Sequence, residues 1–378
     1  MSIPQTTQAY KLASFDKSLD GLVLKQDVSL PSQLAPTEVL VEIHAVLLNA
    51  RDCQIATGTY PAPTSPPTGL IPVSDGSGKV LAVGSDVKTV KVGSRVVTHL
   101  TADWKHGEIG NEMQARALGG GIDGVLAKHV VLDQYNVLPI PGHLSYRQAA
   151  SLPVAGLTAF HSLFGHAGKT LQPGQTLLVE GTGGVSIAAL QLAIAVGARP
   201  IVISSSDEKL RLVQRLGVHP TDCVNYSSDK RWWETVRSLT PRGEGVDHTI
   251  EIAGGSTLTR ALLATKSYGS LWIVGYMDDY KPSPSTTTNS DLPDVAKAVL
   301  YSQAHLQGVM CGSYDLFQQL DAHEHAQRKV EVGTAQRNTL DPLIVDKQVF
   351  AFEEAKQAFH VQGSGKFVGK IIIDVAST

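Results

Sequence analysis

The glycines between residues 181 and 184 are the residues whose type and spacing point most directly to chemistry. An apolar run, Leu177-Leu178-Val179-Glu180, stops at Gly181-Thr182-Gly183-Gly184-Val185-Ser186, and a helical pattern from Ile187 to Ala193 follows. A buried strand, a turn that glycine permits and a helix whose first amides face outward make a layout that attracts a dinucleotide pyrophosphate. Gly181, Gly183 and Gly184 fit this layout. Ser186 stands where a third glycine usually lets the helix pack closely on the strand. Such turns also occur with no ligand, so the reading depends on the elements around it. A second apolar run, Pro200-Ile201-Val202-Ile203, ends at Ser204-Ser205-Ser206-Asp207-Glu208-Lys209. An acid at that strand end would take the ribose 2′-hydroxyl of NAD. Here hydroxyls and an ammonium stand there instead, with Asp207 and Glu208 falling where the next helix begins. Hydroxyl donors and a cation suit a 2′-phosphate, so the expected cofactor is NADPH. The alternative is that the serines only cap that helix and Lys209 is solvated.

The elements that must position these residues alternate. After the first helix come a helix through Leu210 to Val213, the run Cys223-Val224-Asn225-Tyr226, and the run Val246 to Ile252. A helix near Leu258 to Ala264, Leu271 to Val274, and Leu306 to Met310 complete the series. Short apolar runs separated by helices cannot pair as hairpins, so they predict a parallel sheet covered on both faces. Six such strands make a doubly wound dinucleotide-binding domain of the Rossmann type. The first part of the chain differs. Val39 to Leu47 alternates in part, and Gly78 to Gly84 and Gly93 to Val97 read as short strands between glycine turns, which predicts a compact antiparallel barrel. The run Lys370-Ile371-Ile372-Ile373-Asp374-Val375 comes after the sheet domain, so the barrel is expected to be discontinuous, with the chain returning to it at the end.

Composition restricts the function classes. With 378 residues, two domains are expected. A formal net charge of -3, with no basic stripe, argues against nucleic acid as a partner. No run of about 18 apolar residues predicts a membrane span, and Met1 to Thr6 lacks the layout of a signal peptide. Three cysteines, Cys53, Cys223 and Cys311, lie far apart and are odd in number, which fits a reducing cytoplasm.

Taken together, Asn49-Ala50-Arg51-Asp52 with Gly58 and Tyr60, Asp75 to Val80, Gly124 to Val130, Ala149 to Ala159, the cofactor turn and Gly365 to Lys370 resemble the medium-chain dehydrogenase/reductase superfamily. That superfamily contains the zinc alcohol dehydrogenases and the quinone oxidoreductases. The resemblance covers nearly the whole chain. It implies a GroES-like catalytic domain built from both chain ends, expected at residues 1–155 and 313–378, and an NADP-binding domain at 156–312. It also implies an active-site cleft at their junction and a homodimer joined through the edges of the cofactor-domain sheets, with the strand Leu271 to Tyr276 as the candidate edge.

Departures from the pattern bear on the reaction. Where zinc members carry their catalytic metal ligands, this chain reads Asn49, Ser74 and Val154, and zinc prefers thiolate, imidazole or carboxylate. The lobe from His99 to Gly121 has none of the four cysteines of the family's structural zinc. The expectation is an enzyme with no metal. Such an enzyme must support negative charge on the substrate oxygen by hydrogen bonds and then deliver a proton. Hydride addition to the β-carbon of an enone, enal or enoyl thioester, or to a quinone, spreads the charge into an enolate that donors can support. The resemblance to zinc-free enoyl reductases makes Tyr60 the proton donor, or else a residue lining the cleft wall. Asn49 and Asp52 become orienting groups, and Arg51 and Trp104 belong to the substrate pocket, Trp104 alternatively packing a lobe.

Cofactor contacts implied residue by residue by the resemblance are Thr158 at the nicotinamide, Gly183, Gly184 and Val185 with Gly181 of the same turn at the pyrophosphate, and Ser204, Ser205, Lys209 and Tyr226 at the 2′-phosphate. Ala253, Gly275 with Tyr276, and Gly312 with Ser313 are expected at the ends of the last three strands, bordering the ribose and nicotinamide. Lys370 is either a pyrophosphate ligand or a surface lysine. Three functions follow: an NADPH-dependent reductase of activated double bonds or quinones, a carbonyl reductase or alcohol dehydrogenase on a specialised aldehyde or ketone, and a non-catalytic NADPH-binding protein. The polar stretch Lys281 to Asn289 reads as a loop.

Overall fold

A computed structural model describes residues 3–61, 65–276, 292–320 and 345–376. The stretch Lys281 to Asn289, expected as a loop, lies outside the described residues. In chain order the N-terminal part contains β1 (Thr6–Leu12), β2 (Leu22–Ser29), β3 (Glu38–Leu48), α1 (Ala50–Ala56), β4 (Asp75–Val83), β5 (Arg95–Thr98), α2 (Asn111–Gln114), β6 (His129–Asp133), β7 (Val137–Pro139) and α3 (Tyr146–Ala149). The middle contains α4 (Leu157–Phe164), β8 (Thr176–Glu180), α5 (Gly184–Val196), β9 (Arg199–Ser204), α6 (Asp207–Gln214), β10 (Cys223–Asn225) and α7 (Trp232–Ser238). It continues with β11 (Val246–Glu251), α8 (Gly255–Ala264), β12 (Thr265–Ile273), α9 (Val295–Ser302) and β13 (His305–Gly308). The last part adds β14 (Val345–Ala351), α10 (Ala355–Ser364) and β15 (Lys370–Asp374).

Among the described residues the chain forms two compact units, one holding the residues up to Leu157 with those from Cys311 onward, the other Thr158–Met310. In the first unit the sheet order is β14-β15-β3-β4-β5-β7, with β6 also paired to β3. β3 is the spine of this sheet: it pairs antiparallel with β4, β6 and β15, and its bulges against β4 let it bend. The expected antiparallel arrangement has one exception, because β14 and β15 run parallel. A parallel pair needs a crossover connection, and α10 supplies it. The core beneath this sheet is built from Val39, Val41, Ile43, Val46, Ile371, Ile373 and Phe359.

The second unit carries a parallel sheet in the order β10-β9-β8-β11-β12-β13. In chain order these strands run 3-2-1-4-5-6, the doubly wound arrangement. Every residue of β8 is buried, as both faces of a central parallel strand must be. Helix α5 ends where Gly197 enters the left-handed region at φ 81°, a conformation that glycine adopts without a Cβ clash.

Candidate functional site

The second unit presents the carboxyl ends of its strands with the turns that follow them. At the end of β8, Gly181 has φ 68° and its amide donates to the Ile203 carbonyl, which fixes the sharp exit from the strand. Gly183 is the N-cap of α5, and no side chain caps the helix there. Its backbone is ordinary extended chain, and a Cβ built on it would meet nothing within 4 Å. The fold therefore does not need glycine at 183, and the open space at the first turn fits an anion approaching the uncapped amides. Gly184 and Val185 open the helix itself. Ser186 is buried, and its hydroxyl donates to the Glu180 carbonyl at 2.7 Å, so a small polar side chain fills the helix–strand contact.

At the end of β9, Ser204 is buried, Ser205 is exposed, and Ser206 caps α6 by accepting from the Lys209 amide. Asp207 and Glu208 lie in the first turn of α6, where the helix dipole favours acids, and the Asp207 carboxylate accepts from Asn225 Nδ2 at 2.6 Å. Tyr226 is exposed just past β10 and donates its amide to the Ser204 carbonyl. At the end of β11, Glu251 Oε1 accepts from the amides of Ala253 and Gly254 and from Thr257 Oγ1, which shapes the turn into α8. Gly275, near Tyr276, comes so close to this turn that an added Cβ would stand 2.5 Å from the Ile252 carbonyl oxygen. Thr158 is buried near the start of α4, and its carbonyl accepts from Ser162.

Gly312 and Ser313 differ from expectation. β13 ends at Gly308, and both residues belong to the first unit. The Gly312 carbonyl is bonded by His99 Nε2, and an added Cβ would strike Leu157, so this glycine serves packing. Ser313 Oγ accepts from the Leu316 amide.

In the first unit, long-range strand pairing gathers a buried polar cluster. Asn49 caps α1, and its amide donates to Asp52 Oδ2 at 2.7 Å. Lys370 is not the surface lysine that the sequence offered as one reading: because β15 lies against β3, it is carried inward and buried. Its ammonium donates to Asn49 Oδ1 at 2.5 Å and pairs with Asp75 Oδ2 at 3.4 Å. Asp75 also accepts from Ser74 Oγ at 2.9 Å and from the Val154 amide at 3.4 Å. Ser74, Asp75 and Asp52 are each 0% exposed. Two atoms here have no hydrogen-bond partner among the described residues, Asn49 Nδ2 and Asp52 Oδ1. The Arg51 guanidinium lies 3.8 Å from that Asp52 oxygen. Burial pushes the Asp52 carboxyl up to about 6, against the opposing pull of Arg51. No group of three or more His, Cys, Asp or Glu among the described residues is arranged to hold a metal ion.

Arg51 also donates to the Leu118 carbonyl at 3.0 Å and sits over the Tyr60 ring, 5.4 Å from its centre. Tyr60 is half-buried against the core. Trp104 is 1% exposed, and its indole N–H donates to the Gly107 carbonyl, tying the lobe together. Sequence reasoning missed a column of rings in the second unit. His161 stacks on His166, His166 stacks on Trp272 with centroids 4.5 Å apart, and His248 and His305 also contact that indole. His161 and His166 share one segment, but His248, Trp272 and His305 come from three others, so spacing could not have revealed the column.

Two domain families match the chain: the alcohol dehydrogenase GroES-like domain over residues 35–142 and the zinc-binding dehydrogenase domain over 184–324. A zinc-type alcohol dehydrogenase-like protein of Schizosaccharomyces pombe is 34% identical, with 93% of this chain and 94% of that protein covered. Quinone oxidoreductase-like protein 2 of Bos taurus is 28% identical, covering 91% of this chain and 87% of its own length. The crystal structure of an NAD-dependent alcohol dehydrogenase superposes with a TM-score of 0.78 at 29% identity, covering 98% of this chain and 100% of that one. Glycine turn, 3-2-1-4-5-6 sheet and these likenesses agree: the chain belongs to the medium-chain dehydrogenase/reductase family of oxidoreductases.

Proposed function

We propose that this chain is an NADPH-dependent, zinc-independent reductase of activated double bonds or quinones. The observation that carries the reading is the cluster around Lys370. Positions that would have to ligate a catalytic zinc present an amide, a hydroxyl and a valine, and an ammonium is already paired with the nearby carboxylate Asp75. Those residues do not fit zinc, whose ligands are thiolate, imidazole or carboxylate. A dinucleotide does fit the second unit, because the α5 N-terminus is uncapped by any side chain and Gly183 leaves space beside it. Gly181, Gly183, Gly184 and Val185 would hold the pyrophosphate, Ser205, Lys209 and Tyr226 the 2′-phosphate, and Thr158, Ala253, Gly275 and Tyr276 the nicotinamide half. Bound there, the reduced nicotinamide supplies a hydride. The protein's own part is to bind and orient the substrate oxygen with neutral donors and to supply one proton, with the Tyr60 phenol as donor. One hydride and one proton give the saturated carbonyl, or the hydroquinone from a quinone. The run Leu271 to Tyr276, expected as the joining edge, starts within β12, which lies between β11 and β13, so the edge strand β13 is the one that suits pairing of two copies into a homodimer.

The relatives named as alcohol dehydrogenases favour a second reading, reduction of a carbonyl to an alcohol. The test is loss of nicotinamide absorbance with a panel of enones, enals, quinones and saturated ketones, NADPH set against NADH, followed by product analysis. Saturated carbonyl products with NADPH preferred at least tenfold are expected, and Tyr60→Phe should lower kcat about 100-fold. Allylic alcohol as the product, or equal use of NADH, would overturn the assignment.

A further inference from the structure

Lys370 donates to the side chain of Asn49, and an ammonium has only donors, so the atom facing it must be the amide oxygen Oδ1. The orientation of Asn49 is thereby fixed. Its Nδ2 is turned away from the lysine, buried, and without a hydrogen-bond partner among the described residues. A native protein seldom leaves a buried N–H₂ group without an acceptor unless a ligand provides one. Asp75 holds the ammonium from the other side and is itself held by Ser74 and the Val154 amide. The charge of Lys370 is thus held among Asn49, Ser74 and Val154, the positions at which the family resemblance implies zinc ligands.

We propose that Lys370 takes the electrostatic place of the metal as a positioning residue: it fixes and polarises the Asn49 amide so that Nδ2 donates to the substrate oxygen on which negative charge develops. The Lys370–Asp75 pair carries no net charge of its own. What it transmits is direction and acidity, because an amide whose oxygen accepts from a cation is a stronger N–H donor. Asn49 is then the group that touches substrate, and Lys370 acts through it. This role rests on the reductase reading above and specifies which atom would support the enolate.

Lys370→Met alone would leave Asp75 buried without its partner, so the test removes both partners in Lys370→Met/Asp75→Asn. The companion variant Asn49→Asp keeps an acceptor for Lys370 but has no N–H to donate. Each is assayed with NADPH and the best substrate of the panel, alongside cofactor affinity by fluorescence titration and the thermal midpoint. Each is expected to lose about 100-fold in kcat, the usual cost of one oxyanion donor, while NADPH affinity stays within twofold. Combining all three changes should give no further loss, because groups acting as one unit are not additive. If Lys370→Met/Asp75→Asn fails to fold, Asn49→Asp decides alone. Wild-type kcat in Asn49→Asp, or in a folded Lys370→Met/Asp75→Asn, within about threefold, would overturn the role of Lys370 and leave the reductase reading standing. Absence of NADPH turnover by the wild-type protein would overturn that reading and this role together.

Discussion

Asp52 combines complete burial, a capping bond to the Asn49 amide and an oxygen with no hydrogen-bond partner among the described residues. Burial raises its carboxyl to about 6 from an ordinary value near 4, so the native state holds its proton more tightly than the unfolded chain does. Its contribution to stability is therefore fullest below about pH 4 and is lost as pH rises through about 6. Asp52→Asn keeps an acceptor for the capping bond and removes the ionisation. Relative to wild type, it is expected to gain on the order of 2 kcal/mol between pH 4.5 and 7.5, read from urea midpoints at each pH. An unchanged difference between the two pH values would show that the carboxylate is solvated in solution. Asn49 and Asp52 were legible in the sequence as a motif, but the inward path of Lys370 was not. In β15 the residues Lys370, Ile371, Ile372 and Ile373 are all buried, so no alternation marks which face the lysine takes. Its partners Asn49 and Asp75 are brought to it by strand pairing across nearly the whole chain.

At the scale of elements, the six parallel strands were legible because each is a short apolar run bounded by helix or turn signals. Their 3-2-1-4-5-6 order follows from the doubly wound pattern. The sixth strand ends earlier than its apolar run suggests. After Gly308 the chain leaves the sheet, and Cys311 bonds the Pro153 carbonyl in the first unit, which is why Gly312 and Ser313 are not at a strand end. The β8–α5 turn makes a prediction in which two glycines behave oppositely. A Cβ at residue 183 meets no heavy atom within 4 Å and the backbone there is ordinary, so the thermal midpoint of Gly183→Val is expected within about 2 °C of wild type while NADPH affinity falls at least tenfold. Gly181→Val forces a branched side chain to φ 68° and should cost roughly 1–3 kcal/mol of stability. Equal cofactor binding by Gly183→Val would move the pyrophosphate elsewhere.

For the molecule as a whole, the ring column of the second unit is expected to contribute to the loss of stability in acid. Burial pushes His248 and His166 down to about 4. A histidine depressed in the folded state gives stability that is present above about pH 6.5 and is lost as pH falls toward 4. His248→Asn keeps an acceptor for the Trp272 indole N–H and cannot be protonated. It should flatten the loss of stability between pH 7 and 5, followed by tryptophan fluorescence during urea unfolding. An identical slope in wild type and variant would remove His248 from the acid response. Connectivity has a further consequence. On a ribosome the segment bearing Asn49 and Asp75 emerges long before β15, which pairs with β3 and delivers the counter-ion of Asp75. Until that strand arrives, the nascent first unit has an unfilled place beside β3 and lacks the counter-ion of Asp75, so neither its sheet nor its buried ion pair can be completed before β15 has emerged.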